Sequence, residues 1–143
     1  MQLMSLTFLG SLAIPKVTYS MTNHNDFFDE EIETIHIKKG EGKVGKIGGI
    51  DIISKLSKHQ TSGNLGCDEA TLKPGFLGAP PHMHKNFDEI CYVLEGSVTI
   101  MVEEKIFQVN AGDWHLRPRN KIHTFWNSSE SPARFIDIYS RGT

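Results

Sequence analysis

The chain has 143 residues, a length that fits one domain with a single core. Hydrophobic residues make up 38% and charged residues 22%, which is ordinary for a soluble globular protein and excludes a disordered chain. The formal net charge of -2 offers no basic surface, so neither nucleic acid nor a membrane is an expected partner.

The first twenty residues differ from the rest of the chain. Residues 3–15 are apolar, long enough for the core of a signal peptide but too short to span a bilayer. No Lys or Arg precedes them, and Met21 opens a polar segment typical of a normal N-terminus. We therefore expect residues 1–20 to be a signal-like or non-core extension and residues 21–143 to form a single domain. A cytoplasmic location is favoured over export.

The next segments predict turns and two strands. Residues 26–34 carry an acidic cluster that is most simply solvated. Residues 38–49 are rich in Gly and Lys but lack the spacing of a phosphate-binding loop, and we interpret them as a mobile turn. Residues 50–56 and 65–72 are candidate strands, joined by the polar loop 57–64.

Short alternating segments follow one another through the rest of the chain, without helical periodicity. The further predicted strands cover residues 90–94, 98–102, 106–109, 114–117, 123–127 and 133–139. In the last of them Phe135, Asp137 and Tyr139 share one face. Many short strands with closely spaced turns predict an all-β fold, a double-sheet sandwich or jelly roll.

Three histidines and one carboxylate predict a metal site. His82 and His84 are two residues apart, so both side chains would point to the same face of a strand. Glu89 follows after a short loop, and His123 lies on a later strand that can pair nearby. Such a ligand set suits one divalent transition metal (Fe, Mn, Ni, Co, Cu or Zn) and leaves room for water or a small-molecule substrate. The alternative is that the four are ordinary polar residues.

Two spaced motifs carry a resemblance to the cupin superfamily. Residues 82–96 read His-x-His, four residues, Glu, six residues, Gly, and residues 112–127 fit the second cupin motif except at Asn120, which replaces a glycine. Asn tolerates positive φ, so we expect this turn to survive. The resemblance implies a jelly-roll β-barrel of two packed antiparallel sheets. It also places the metal-ligand roles on His82, His84, Glu89 and His123. Asp88 is one residue out of register with the first motif and is expected to face away.

The amino-acid sequence around both motifs is similar to that of small quercetin 2,3-dioxygenase-like cupins. That resemblance implies a dioxygenase acting on an enol or flavonol-like substrate, with Glu89 as catalytic base. The alternatives are a metal-dependent isomerase or cyclase, and a non-catalytic module that binds a small ligand. Exposed strand edges predict a homodimer, and the resemblance to cupins, which commonly dimerise, implies the same.

We also expect an apolar pocket around the metal, although for each residue proposed for its lining a place in the plain core is the favoured interpretation. These residues are Cys91, Val93, Ile100, Trp114 and Phe125.

Overall fold

A computed structural model describes residues 32–141. The extension predicted for residues 1–20 lies outside the described residues, so its role and the cellular location stay predictions. Ten strands are defined in the described part: β1 Lys43–Ile47, β2 Ile50–Leu56, β3 Leu65–Leu72, β4 Leu77–His82, β5 Phe87–Glu95, β6 Ser97–Val102, β7 Lys105–Asn110, β8 Trp114–Arg117, β9 His123–Trp126 and β10 Ala133–Arg141. A short 3-10 helix covers Lys58–Thr61. Within residues 32–141 no helix is long and apolar enough to cross a membrane.

The strands form two antiparallel sheets. One has six strands in the order β1-β2-β3-β10-β5-β8, and the other has four in the order β4-β9-β6-β7. Several strands that neighbour each other in a sheet are far apart in the chain, such as β3 and β10 or β4 and β9, which is the connectivity of a jelly roll. The predicted all-β fold, a jelly roll of two packed antiparallel sheets, is confirmed.

The core lies between the two sheets and follows from strand alternation. In β10, Ala133 and Phe135 point inward with no exposed surface, whereas Arg134 and Ile136 between them are half-buried. Leu72 on β3 is likewise fully enclosed. Full burial of such a side chain contributes roughly 1.5–3 kcal/mol, so these few positions hold the two sheets together.

The segment 38–49 is not the mobile turn that its composition predicts. Lys43–Ile47 forms β1, which is exposed along its whole length and pairs with β2. Gly48 at φ 55° makes the tight turn of this hairpin. Because β1 is held by backbone pairing and its side chains are exposed, it carries no hydrophobic alternation by which it could be predicted.

Candidate metal centre

The two sheets bring the four predicted ligands to one place. His82 ends β4 and is the cross-strand partner of His123, which begins β9. Glu89 lies on β5 of the opposite sheet and is 4% exposed. His84 lies two residues beyond the end of β4, in the loop to β5, and not on a strand as expected.

Their side chains form a compact cluster. Each residue offers one ligand atom, and these atoms lie within 4.8 Å of one another. The imidazole centroids are 4.9 Å apart for His82 and His84, and 4.4 Å apart for His82 and His123. The cluster could therefore hold one metal ion.

Backbone carbonyl groups fix which imidazole nitrogen faces the cluster. His82 Nδ1 donates to the carbonyl oxygen of Pro80 at 2.8 Å, and His123 Nδ1 donates to that of Lys121 at 3.0 Å. In a neutral imidazole the proton is then on Nδ1, and Nε2 carries a lone pair. An unprotonated nitrogen of this kind is what binds metal ions.

The contacts of Glu89 test whether a cation fits. Its Oε2 lies 3.1 Å from His123 Nε2 and 3.3 Å from His84 Nε2, and the buried His84 Nε2 has no hydrogen-bond partner among residues 32–141. In neutral His123 the proton is on Nδ1, so Nε2 is an acceptor like the carboxylate oxygen, and their close approach is unfavourable unless a proton or a cation lies between them. The donor set fits a divalent transition metal.

Electrostatics keep these groups in their metal-binding forms. Burial by itself opposes the charge of Glu89, but the hydrogen bond with His123 and the positive charge of Arg117 bring the pKa of Glu89 below its usual value. Burial lowers the pKa of His84, although Glu89 acts against this shift. A carboxylate and a neutral imidazole are thus favoured near pH 7.

Sequence reasoning missed two buried charged residues beside the cluster. Arg117 on β8 lies directly opposite Glu89 in the strand register and is 1% exposed. Its Nη2 forms an ion pair with Asp137 on β10 and lies 3.4 Å from Glu89 Oε1. Burial raises the pKa of Asp137, although Arg117 acts against this shift. The signal was present, since Asp137 shares an otherwise apolar face with Phe135 and Tyr139.

The second motif also supports the loop that carries His84. Asn120 has φ 62°, as its place in the motif predicts, and its backbone N–H donates to the carbonyl oxygen of His84 at 2.7 Å. Asp88 faces away from the cluster, as expected, and accepts hydrogen bonds from the backbone and side chain of Arg119.

A cavity of about 160 Å³ opens beside the cluster. Apart from three of the four ligands, its polar lining consists of Asp68, Asp137 and Tyr139. The remaining lining is apolar and comprises Ile47, Ile50, Ile52, Ala70, Gly78, Ala79 and Phe125.

The predicted pocket lining is partly wrong. Phe125 does line the cavity. Cys91, Val93 and Ile100 are buried core residues outside the lining. Trp114 is 64% exposed and stacks on Tyr92, because its position on β8 points to the outer face of the six-stranded sheet. Alternation alone could not tell these two faces apart.

The remaining histidines stay away from the cluster, as expected where they can be described. His36 and His59 are exposed, and His115 packs its ring edge against Phe107. His24 lies outside the described residues.

The fold and the site define a small jelly-roll protein with a His/Glu cluster between its sheets. Residues 68–139 match the Cupin domain family, and the chain belongs to that family. A curated relative, "Germin-like protein subfamily 2 member 2" of Arabidopsis thaliana, is 33% identical over 72 residues. The match covers 47% of this chain and 32% of the relative, so the chain spans about a third of that protein.

Two solved structures share the fold. KdgF from Halomonas sp. superposes with a TM-score of 0.67 at 20% identity, over 78% of this chain and 96% of that one. A predicted oxalate decarboxylase from Thermotoga maritima gives a TM-score of 0.70 at 19% identity, over 76% of this chain and 100% of that one. At these identities the likeness concerns the fold.

Proposed function

We propose that the protein is a metal-dependent enzyme that acts on a small, uncharged, enolisable compound, with dioxygenation as its reaction. The observation that carries the proposal is the position of the ligand cluster, which opens into a cavity large enough for a small molecule. His82, His84, Glu89 and His123 would hold the ion. When bound, the ion would act as a Lewis acid that lowers the pKa of an enol hydroxyl.

The chain supplies the groups that such a reaction needs. Glu89, whose pKa His123 and Arg117 bring below its usual value, would accept the enol proton at a carboxylate oxygen, as ligand, as base, or in both roles. Phe125 and the isoleucines of the cavity would pack against the apolar part of the substrate. Asp68 and Tyr139 offer polar groups that can orient a hydroxyl or carbonyl.

The size of the cavity favours a small enol over a three-ring flavonol. An engineered apolar cavity of about 150 Å³ in another protein binds benzene. The cavity here, at about 160 Å³, corresponds to a substrate of about one ring.

The charges of the cavity favour an uncharged substrate. Among the described residues that line it, two are aspartates outside the ligand set and none is Lys or Arg. Arg117, the nearby cation, already contacts Glu89 and Asp137. A dianion such as oxalate would therefore find no cationic side chain to bind its second carboxylate.

Oxygen consumption tests the proposal. The protein would be loaded separately with Fe²⁺, Mn²⁺, Ni²⁺ and Zn²⁺ and offered a small cyclic hydroxyketone, a flavonol or oxalate in an oxygen electrode. We expect uptake with a redox-active ion and the small enol, and none with Zn²⁺ as the matched control. Failure of every ion to support uptake with either enol would overturn dioxygenation.

A second candidate, an isomerase or cyclase, is favoured by Asp137. This carboxyl lines the cavity beside the cluster, and burial raises its pKa although Arg117 opposes the shift, so it could exchange a proton with a substrate while Glu89 acts as the second acid–base group. Deuterium exchange at the substrate α-carbon without oxygen uptake would indicate this reaction. Ligand binding with neither reaction would indicate a binding module.

We further propose that the protein is a homodimer. Trp114 and Leu116 on the edge strand β8 are 64% and 54% exposed, and an apolar sheet edge favours pairing with another copy. Light scattering after size exclusion would give the mass directly, and a monomer at micromolar concentration would overturn this proposal.

A further inference from the structure

Arg117 contacts the metal centre from outside the ligand set. Its guanidinium lies between the two sheets, where it contacts Glu89 and Asp137 within its own sheet. From the opposite sheet the Phe125 ring lies against it, with 5.2 Å between Arg117 Cζ and the ring centroid. A side chain surrounded in this way has little freedom to move.

The two oxygens of Glu89 have different neighbours. Oε2 faces the imidazoles of His84 and His123, and Oε1 faces Arg117 Nη2 at 3.4 Å. The carboxylate could turn both oxygens toward the ligand cluster only by giving up its contact with the guanidinium.

We infer that Arg117 is a positioning residue of the metal centre, which holds Glu89 Oε1 so that Glu89 can bind a metal ion through Oε2 alone. Asp137 in turn holds Arg117. The inference rests on the proposed metal-dependent function and adds a reason for an open coordination position, since a carboxylate that binds through one oxygen leaves more room for substrate.

The surroundings of Arg117 argue against a merely structural ion pair. Burying a guanidinium is costly, and an apolar pair of similar volume is often as stable as a buried ion pair. Burial opposes the charge of Arg117, yet Asp137 and Glu89 together raise its pKa above the usual value. The register that places Arg117 directly opposite Glu89 makes the ligand its immediate partner.

Cobalt binding tests this role, because Co²⁺ reports both affinity and coordination number through its visible absorption. The main variant is the double substitution Arg117→Met with Asp137→Asn, which removes both charges of this buried ion pair together. We expect one Co²⁺ per chain to bind about 10–100-fold more weakly than in the wild type, a typical effect of losing a residue that orients a ligand. The absorption should also become weaker, because a second Glu89 oxygen raises the coordination number.

Two further variants, a control at Arg119 and a conservative change at Arg117, complete the test. Arg119→Met, the matched control, removes the same side chain from the more exposed pair with Asp88 and should leave the affinity and the spectrum unchanged. Arg117→Lys keeps the charge but loses the planar fork, so it should shift the spectrum in the same direction as the double variant. If the double variant does not fold, Arg117→Lys alone tests the positioning role of Arg117.

The outcomes separate the two proposals. Wild-type affinity and spectrum in the folded Arg117 variants would overturn the positioning role alone. If the wild-type protein itself binds no Co²⁺, both the metal centre and the inference are overturned.

Discussion

His123 Nε2 lies 3.1 Å from Glu89 Oε2, although the two residues belong to different sheets. A metal ion bound by both would therefore tie the four-stranded sheet to the six-stranded sheet. We expect metal binding to stabilise the folded protein by about 2.7 kcal/mol when free metal is 100-fold above its Kd. The measurement is the thermal unfolding midpoint with Mn²⁺ or Zn²⁺ and after chelation.

Removing one ligand should abolish this gain. His84→Ala is expected to lose stoichiometric metal, measured by elemental analysis of the purified protein, and to unfold at the same temperature with and without added metal. His59→Ala, an exposed histidine outside the cluster, is the matched control and should retain both properties. Full metal content in His84→Ala would contradict the ligand assignment.

The turn at Asn120 can be tested at a single position. Because Asn120 has φ 62°, Asn120→Ala places a Cβ where alanine is strained and should lower the free energy of unfolding by about 1–2 kcal/mol. Asn120→Gly, the residue usual in the motif, should lie within about 0.5 kcal/mol of the wild type. Urea unfolding of the metal-free proteins measures both. Equal losses in the two variants would show that φ is not the cause.

Because Gly78 has no side chain, the ring of Phe125 can pack against it and line the cavity. A Cβ at this position would overlap a ring carbon of Phe125, so Gly78→Ala must displace the ring and should cost about 1–3 kcal/mol. Gly45→Ala is the matched control, since a Cβ there meets nothing within 4 Å. Urea unfolding should separate the two variants, and equal stability would contradict this packing.

Asp88 gives a prediction for pH dependence. Hydrogen bonds from Arg119 lower the pKa of Asp88 below its usual value. The folded state therefore favours the charged form, and the pair stabilises the fold above about pH 4, with the effect lost as the pH falls further.

Asp88→Asn should accordingly lower the free energy of unfolding by about 0.5–1 kcal/mol at pH 7, because the pair is only partly buried. The difference should disappear near pH 2–3. Chemical unfolding at several pH values measures it, and a difference that stays constant down to pH 2 would contradict an ionic cause.

The sequence predicted those parts of the site that depend on short-range spacing. His82, His84 and Glu89 lie within one motif, and a glycine-like turn at Asn120 could be read from one position. The pair Arg117 and Asp137 could not be found in this way, because its contact exists only once β8 and β10 flank β5.

The strands also divide into those that the local sequence predicts and those that it does not. Strand β10, which has an inward apolar face, was predicted from alternation. Strand β1 was not, since an exposed hairpin strand is fixed by pairing rather than by burial. Trp114 was assigned to the wrong face because a four-residue strand such as β8 carries too little alternation to orient it.

Glu89 and His123 are separated by 34 residues in the chain, and each comes from a different sheet. The complete set of ligands therefore exists only late in folding, after distant strands have paired and the two sheets have closed. An ion that needs all four ligands would therefore bind only after these contacts have formed. The metal carried in the cell would then reflect the ions available where the chain completes its folding.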